Sequence, residues 1–282
     1  MKKSFIKILI PAIISVSFLA AAVIMVPYLV RAFRSLTRND TTLPPVQTVR
    51  VTFPEGFTVR QTALKLEENG VCSAKDFIDA VNSPALSDEL WSFENKADRA
   101  YLLEGYIFPD TYDFYIGEDA QSVLKRFLNN FKSKFSDELR LRAKELGYST
   151  DEIVIIASII QEEASVHTEM GKVSSVLHNR LKSNDFPGLQ CDATISYVNK
   201  YIKPYFDSAQ TDRYASLYNT YKFKGLPAGP ISNPGLQAIK AALYYEDTDY
   251  YYFVTDKSGK YYYAKTLKEH NQNCVKAGVV TD

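Results

Sequence analysis

The stretch STDEIVIIASIIQEE, residues 149–163, is the one around which the rest of the chain is read. Ser149 and Glu152 stand three apart, the spacing at which two side chains cap each other's free main-chain N–H groups, and Asp151 adds a charge favoured in a first turn. Ile153 to Ile160 then run with Ser158 as their one polar residue. A helix apolar on every side is buried nearly all round. Residues three or four apart share a helix face. Gln161 therefore falls over Ala157 and Ser158, Glu162 over Ser158 and Ile159, and Glu163 over Ile156, Ile159 and Ile160, the bulkiest part of the surface. Loss of water raises a carboxyl pKa, and the negative end of the helix dipole acts in the same direction. Glu163 is thus a candidate general acid, a carboxyl still protonated near neutral pH. From these residues alone a second reading stays open, in which Glu163 closes a core helix and faces solvent.

Composition narrows the class of partner. The 282 residues carry 33 basic and 33 acidic side chains, so no global field attracts nucleic acid. Twenty Tyr and 16 Phe supply surfaces that are apolar on the face and, for Tyr, hydrogen-bonding at the tip, as a sugar-binding surface needs and as ordinary sheets also contain. Cys72, Cys191 and Cys274 are odd in number and widely spaced, giving neither a disulfide framework nor paired metal ligands. His167, His178 and His270 form no metal-binding pattern, so neither a metal nor any other cofactor is expected.

Residues 8–30 carry no charge, long enough to cross a hydrocarbon core as a helix, with Lys2, Lys3 and Lys7 before them and Arg31, Arg34 and Arg38 after. The stretch is long for a signal peptide and lacks a small-x-small cleavage site, so it reads as a retained single-pass anchor. The flanking charges nearly balance under the positive-inside rule, and the free amino terminus tips the N-terminus inside. Residues 37–45 end in two prolines and read as a stalk. In residues 46–82, Val49, Val51 and Phe53 alternate as in a strand; Thr58 then caps a helix stopped by Gly70, and Ser73 with Asp76 starts another. The segments divide the chain into tip and anchor (1–36), stalk (37–45), a small α/β unit (46–82) and a mixed α+β domain (83–282).

In that larger domain LEGYIFPDTY (103–112) reads as an aromatic strand-like run, with Glu104 as a second acid among apolar neighbours, either functional or paired and structural. Helical patterns follow at 120–131 and 136–146, leading into the central helix. After it, 168–183 has a helical stripe ending near His178, Asn179 and Arg180, which a solvated helix end explains equally well. Gln190, Asp192 and Thr194 would share one side of an extended segment, as a strand presents polar groups to a ligand or as a plain polar sheet face looks. GLPAGPISNPG (225–235) is a stiff loop, with Asn233 and Pro234 in the order of a helix cap and first-turn proline. A hairpin across DKSG and a helix capped by Thr266 and Glu269 close the chain.

LEGYIFPDTY at 103–112, ASIIQEEA at 157–164, VSSVLHNRL at 173–181, LQCDAT at 189–194, YNTY at 218–221, GLPAGPISNPG at 225–235 and YYYFV at 250–254 together resemble the YceG-like endolytic murein transglycosylase family. The resemblance implies a membrane-anchored peptidoglycan lyase, its catalytic domain outside the cell membrane, with residues 46–82 similar to a LysM domain. It places the family's catalytic glutamate at Glu163. Residues then expected to contact the glycan are Glu104, Tyr106, Gln190, Asp192, Thr194, Tyr218, Asn219 and Tyr221. Ala228 stands where the family often has proline, and Gln161 where it often has Glu. Peptidoglycan strands, the membrane through residues 8–30 and wall-synthesis complexes are the expected partners. Two other readings remain: a non-catalytic wall-binding scaffold, and a lysozyme-type hydrolase with Asp192 or Glu104 as its second carboxylate.

Overall fold

The computed structural model describes residues 25–34, 47–83, 96–164 and 166–279. The chain divides into two units, residues 1–46 and 47–282. Of the first, residues 25–34 are helical and exposed. Among the described residues no helix is long and apolar enough to cross a membrane; most of the expected span, residues 8–24, and the stalk lie outside them.

The second unit is mixed α+β, mostly helical, with two small antiparallel sheets. Strand β1 (Thr48–Thr52) is followed by helices α1 (Val59–Glu68) and α2 (Ala74–Val81), begun by the Thr58 and Ser73 caps that the spacing predicts. The partner of β1 comes from outside residues 46–82: β2 (Thr111–Tyr115) pairs with it, Val49 opposite Phe114 and Val51 opposite Tyr112. The run 103–110, expected to be strand-like, is a series of buried turns leading into β2. Phe127, on helix α3 (Ala120–Lys134), packs its ring 5.1 Å from Phe53, 4.5 Å from Tyr112 and 5.9 Å from Phe77. The core of the small unit is therefore completed by residues far along the chain. Thirty-odd residues bury too little apolar surface to stand alone.

Helix α4 (Asp137–Glu145) leads into the central helix α5 (Thr150–Glu163). Its capping box is formed as the spacing requires: Ser149 N–H donates to Glu152 at 2.8 Å, and Glu152 N–H to the Ser149 hydroxyl at 3.2 Å. Ile153 to Ile160 are all buried. The Ser158 hydroxyl donates to Ile155 O at 2.7 Å and accepts the Ile231 N–H at 3.1 Å, which explains one polar residue in the apolar run. Helices α6 (Met170–Lys182), α7 (Asp192–Tyr197) and α9 (Leu236–Leu243) pack against α5, with α8 (Ser208–Tyr218) beside α7. The terminal hairpin, β3 (Tyr252–Thr255) and β4 (Tyr261–Ala264), and helix α10 (Leu267–Ala277) close the unit.

The 225–235 loop ties these parts together. Asn233 was expected to cap the next helix, but that cap is Gly235. The Asn233 carboxamide instead accepts Ile107 N–H at 2.9 Å and donates to Phe57 O at 2.7 Å and Glu104 at 3.2 Å. Gly105, with φ +89°, must be glycine on space as well, since a Cβ there would lie 2.6 Å from Pro230 and 2.7 Å from Val154.

Candidate active site

Glu163 is the last residue of the central helix, half-buried, and the extended backbone of Ala164 ends the helix there. Its Oε1 accepts the Ala193 N–H at 3.3 Å, and its carbonyl accepts the Tyr261 hydroxyl at 3.1 Å. Burial pushes the Glu163 carboxyl above the ordinary glutamate pKa; the Ala193 N–H opposes this, Asp192 adds to it, Arg180 opposes it and Glu162 adds to it. Glu162 is raised too, again by burial first, although much of that residue is exposed; Ser232 and Lys200 pull it back. Gln161 points elsewhere, its Oε1 accepting the Gly235 N–H at 3.0 Å.

The segment facing Glu163 differs from the expected extended chain. Gln190 has φ +50°, the only positive value among the described non-glycine residues, and helix α7 starts two residues later at Asp192. Asp192 and Thr194 consequently point different ways. Asp192 is exposed and accepts the Tyr221 hydroxyl at 2.7 Å. Thr194 is buried, donating to Cys191 O at 2.8 Å and lying 3.2 Å from the Thr220 hydroxyl. Thr220 pins the segment from below: its carbonyl accepts the Gln190 N–H at 3.1 Å and its hydroxyl the Cys191 N–H at 3.0 Å. Gly188 lies directly against the Thr220 and Phe223 carbonyls, where no Cβ fits.

Of the residues expected to touch a sugar, Gln190, Asp192, Asn219 and Tyr221 keep exposed surface. Asn219 caps the start of the turn to Tyr221, its Oδ1 accepting the Tyr221 N–H at 3.1 Å. Glu104, Tyr106, Thr194 and Tyr218 do not: each is 1% exposed or less and packs beneath that surface. Tyr106 donates to Asp151 at 2.6 Å at the start of the central helix, where the buried Arg99 guanidinium also pairs with Asp151. Tyr218 packs its ring 5.4 Å from Tyr197. Glu104 accepts the Val59 N–H at 2.8 Å at the start of α1, the Asn233 carboxamide, and the Tyr197 hydroxyl at 3.1 Å. Burial pushes it up to about 8 despite these donors.

The 178–180 cluster is not a solvated helix end. His178 is buried, its ring nitrogens 3.2 Å from the Tyr148 hydroxyl and 3.0 Å from Ala242 O, and burial lowers its pKa to about 4. Asn179 donates to Thr248 O at 2.7 Å and Tyr250 O at 2.9 Å. Arg180 is 8% exposed and reaches the Leu189 carbonyl beside the site. Its spacing carried the signal: Arg180 follows Val173 by seven and Leu177 by three, on the buried stripe. Among the described residues no group of three or more His, Cys, Asp or Glu is placed to hold a metal ion.

One raised carboxyl, gripped by a main-chain N–H and flanked by an exposed Asp–Tyr pair, is equipped to donate a proton to a polar leaving group. Compared with known proteins, residues 29–276 match the YceG-like family. The chain belongs to the YceG-like family. It is 32% identical over 221 residues to the endolytic murein transglycosylase of Bacillus subtilis strain 168, covering 77% of this chain and 57% of that protein. It is 30% identical over 243 residues to the protein of the same name from Streptococcus pneumoniae strain D39, covering 79% of this chain and 43% of that one. The chain thus spans about half the length of the curated relatives it matches. The crystal structure of a YceG-like protein from Listeria monocytogenes superposes with a TM-score of 0.67 at 30% identity, covering 80% of this chain and 76% of that one.

Proposed function

We propose that this YceG-like protein is a membrane-anchored endolytic peptidoglycan transglycosylase, with Glu163 as its single acid and base. The observation that carries the reading is the half-buried Glu163 carboxyl, raised by burial and held by the Ala193 N–H at the edge of an exposed surface. Glu163 in its protonated form donates to the oxygen of the β-1,4 bond between N-acetylmuramic acid and N-acetylglucosamine. The resulting carboxylate takes the proton of the muramyl C6 hydroxyl as that oxygen attacks C1, leaving a 1,6-anhydro end. An internal nucleophile already tethered to the sugar makes a second carboxylate unnecessary. Asp192 and Tyr221 beside the carboxyl, with the partly exposed Gln190 and Asn219, serve as glycan contacts, and the β1–α1–α2–β2 arrangement supports a LysM-like role in holding the strand. Residues 8–30 anchor the protein with its C-terminal domain outside the cell membrane, within reach of wall-synthesis complexes.

A hydrolytic variant of the reading has one observation in its favour, the exposed Asp192 carboxylate next to the residue that binds Glu163. Mass spectrometry of peptidoglycan digested by the full-length chain separates the two. Products ending in 1,6-anhydromuramyl groups establish the transglycosylase; reducing ends establish hydrolysis; no cleavage, with wall binding intact, leaves a scaffold.

A further inference from the structure

We propose that Arg180 is the positioning residue of the site: it fixes the Leu189–Ala193 segment whose main-chain N–H grips Glu163. The inference rests on Glu163 being the acid. Arg180 grows from helix α6, which packs directly on the central helix. Its guanidinium donates through Nη1 to Leu189 O and through Nε to Tyr251 O at 2.7 Å. Its guanidinium carbon lies over the Phe186 ring, 4.8 Å from its centre, and over that of Tyr252, 5.7 Å from its centre. Its partners are thus two carbonyls and two aromatic faces rather than a carboxylate. Burying a cation without an anion is unfavourable unless hydrogen bonds and ring faces compensate, so the arrangement holds only when both carbonyls are in place.

The consequence is mechanical first. Leu189 O lies four residues before the Ala193 N–H, and between them Gln190 sits in its left-handed conformation while Thr220 holds the Gln190 and Cys191 N–H groups. Arg180 fixes the near end of that strained turn, Thr220 its middle, and the far end is then aimed at Glu163. The same side chain joins the turn to the terminal hairpin through Tyr251, and that hairpin places the Tyr261 hydroxyl on the Glu163 carbonyl. The acid is therefore held at both its carboxyl and its main chain by elements that Arg180 connects.

The second consequence is electrostatic. The charged and titratable groups that face the Glu163 carboxyl are Asp192 from α7, Glu162 from its own helix, the Cys191 thiol and Tyr221 hydroxyl from the facing loops, and Arg180. Arg180 is the cation among them. An arginine stays charged throughout the accessible pH range, so it offsets Asp192 and Glu162 at every pH at which the enzyme works.

The test compares Arg180→Met and Arg180→Lys in the full-length chain, reading glycan cleavage against pH, the Ala193 amide resonance, and the titration of a 13C-labelled Glu163 carboxyl. Arg180→Met removes grip and charge. It should lower kcat about 100-fold, the order of loss that misplacing a catalytic group by an ångström produces, with KM little changed. Removing the cation raises the Glu163 pKa, so the alkaline limb of the profile should move to higher pH. Arg180→Lys keeps the charge but not the two-carbonyl bracket; it should lose less rate, shift the Ala193 amide, and leave the alkaline limb where it is. A folded Arg180→Met protein with native kcat and a native limb overturns the proposal. Should that variant not fold, Arg180→Lys with native kcat and an unmoved Ala193 amide overturns it equally. If the native chain cleaves no glycan yet Arg180→Met moves the Glu163 titration and the Ala193 amide, the positioning role stands and the transglycosylase reading fails.

Discussion

Replacing Glu104 by Gln should make the protein's stability less dependent on pH. In the folded chain this carboxyl is pushed up to about 8, chiefly by burial; in the unfolded chain it returns to about 4.5. Between those values the folded state binds the extra proton, so stability is full below the unfolded value and falls as pH rises toward 8, levelling off above it. The slope is about 1.4 kcal/mol per pH unit, and across a gap of about 3.5 pH units the loss is on the order of 5 kcal/mol. Glutamine copies the protonated state. Its carbonyl can accept the Val59 N–H and the Asn233 carboxamide as Oε1 does, and its NH2 can donate to the Tyr197 hydroxyl, which then serves as acceptor. Urea unfolding of both proteins at pH 5, 6, 7 and 8 isolates the effect, because every other titrating group is common to the two. The stability difference should move in favour of Glu104→Gln by about 1.4 kcal/mol for each pH unit. Parallel curves would show that Glu104 has an ordinary pKa in the folded chain and that the donors around it outweigh burial.

Two further outcomes follow from the geometry. Ser158→Ala leaves the Ile231 N–H without its acceptor inside the core and should destabilise the fold by about 1–3 kcal/mol in denaturant titration, loosening the 225–235 loop. Asp192→Asn removes an anion that raises the Glu163 carboxyl, so the pH–rate profile should lose activity at lower pH on its alkaline side, opposite in sign to Arg180→Met; an unmoved limb would mean Asp192 does not act on Glu163.

What could be read from the sequence was local chemistry. The capping residues Ser149, Thr58, Ser73 and Thr266 all sit where their spacing puts them, because a cap bonds an N–H only two or three residues away. The hairpin across DKSG and the burial of Ile153 to Ile160 follow for the same reason, as local patterns with one outcome. The partner of β1 did not, since pairing Val49 with Phe114 spans 65 residues and no local pattern announces it. Asn233 has the composition of a helix cap, yet three tertiary partners claim its side chain. Gln190, Asp192 and Thr194 show the limit for the site: alternation predicts one face only if the chain is extended, and the left-handed Gln190 turns it into the start of α7. The partial burial of Glu163 and the direction of its pKa shift follow from its place on its own helix, whereas the Ala193 N–H that meets it does not. The burial of Arg180 was signalled by its place on the helical stripe, but its partners at Leu189 and Tyr251, 9 and 71 residues away, were not.

The most direct test follows the formation of 1,6-anhydromuramyl ends from intact peptidoglycan between pH 5 and 9, by native protein and by Glu163→Gln. Native protein should form such ends near neutral pH and lose the activity on the alkaline side as Glu163 ionises, while Glu163→Gln forms none at any pH. Anhydro ends produced by Glu163→Gln at a rate near native would place the acid elsewhere and contradict the account.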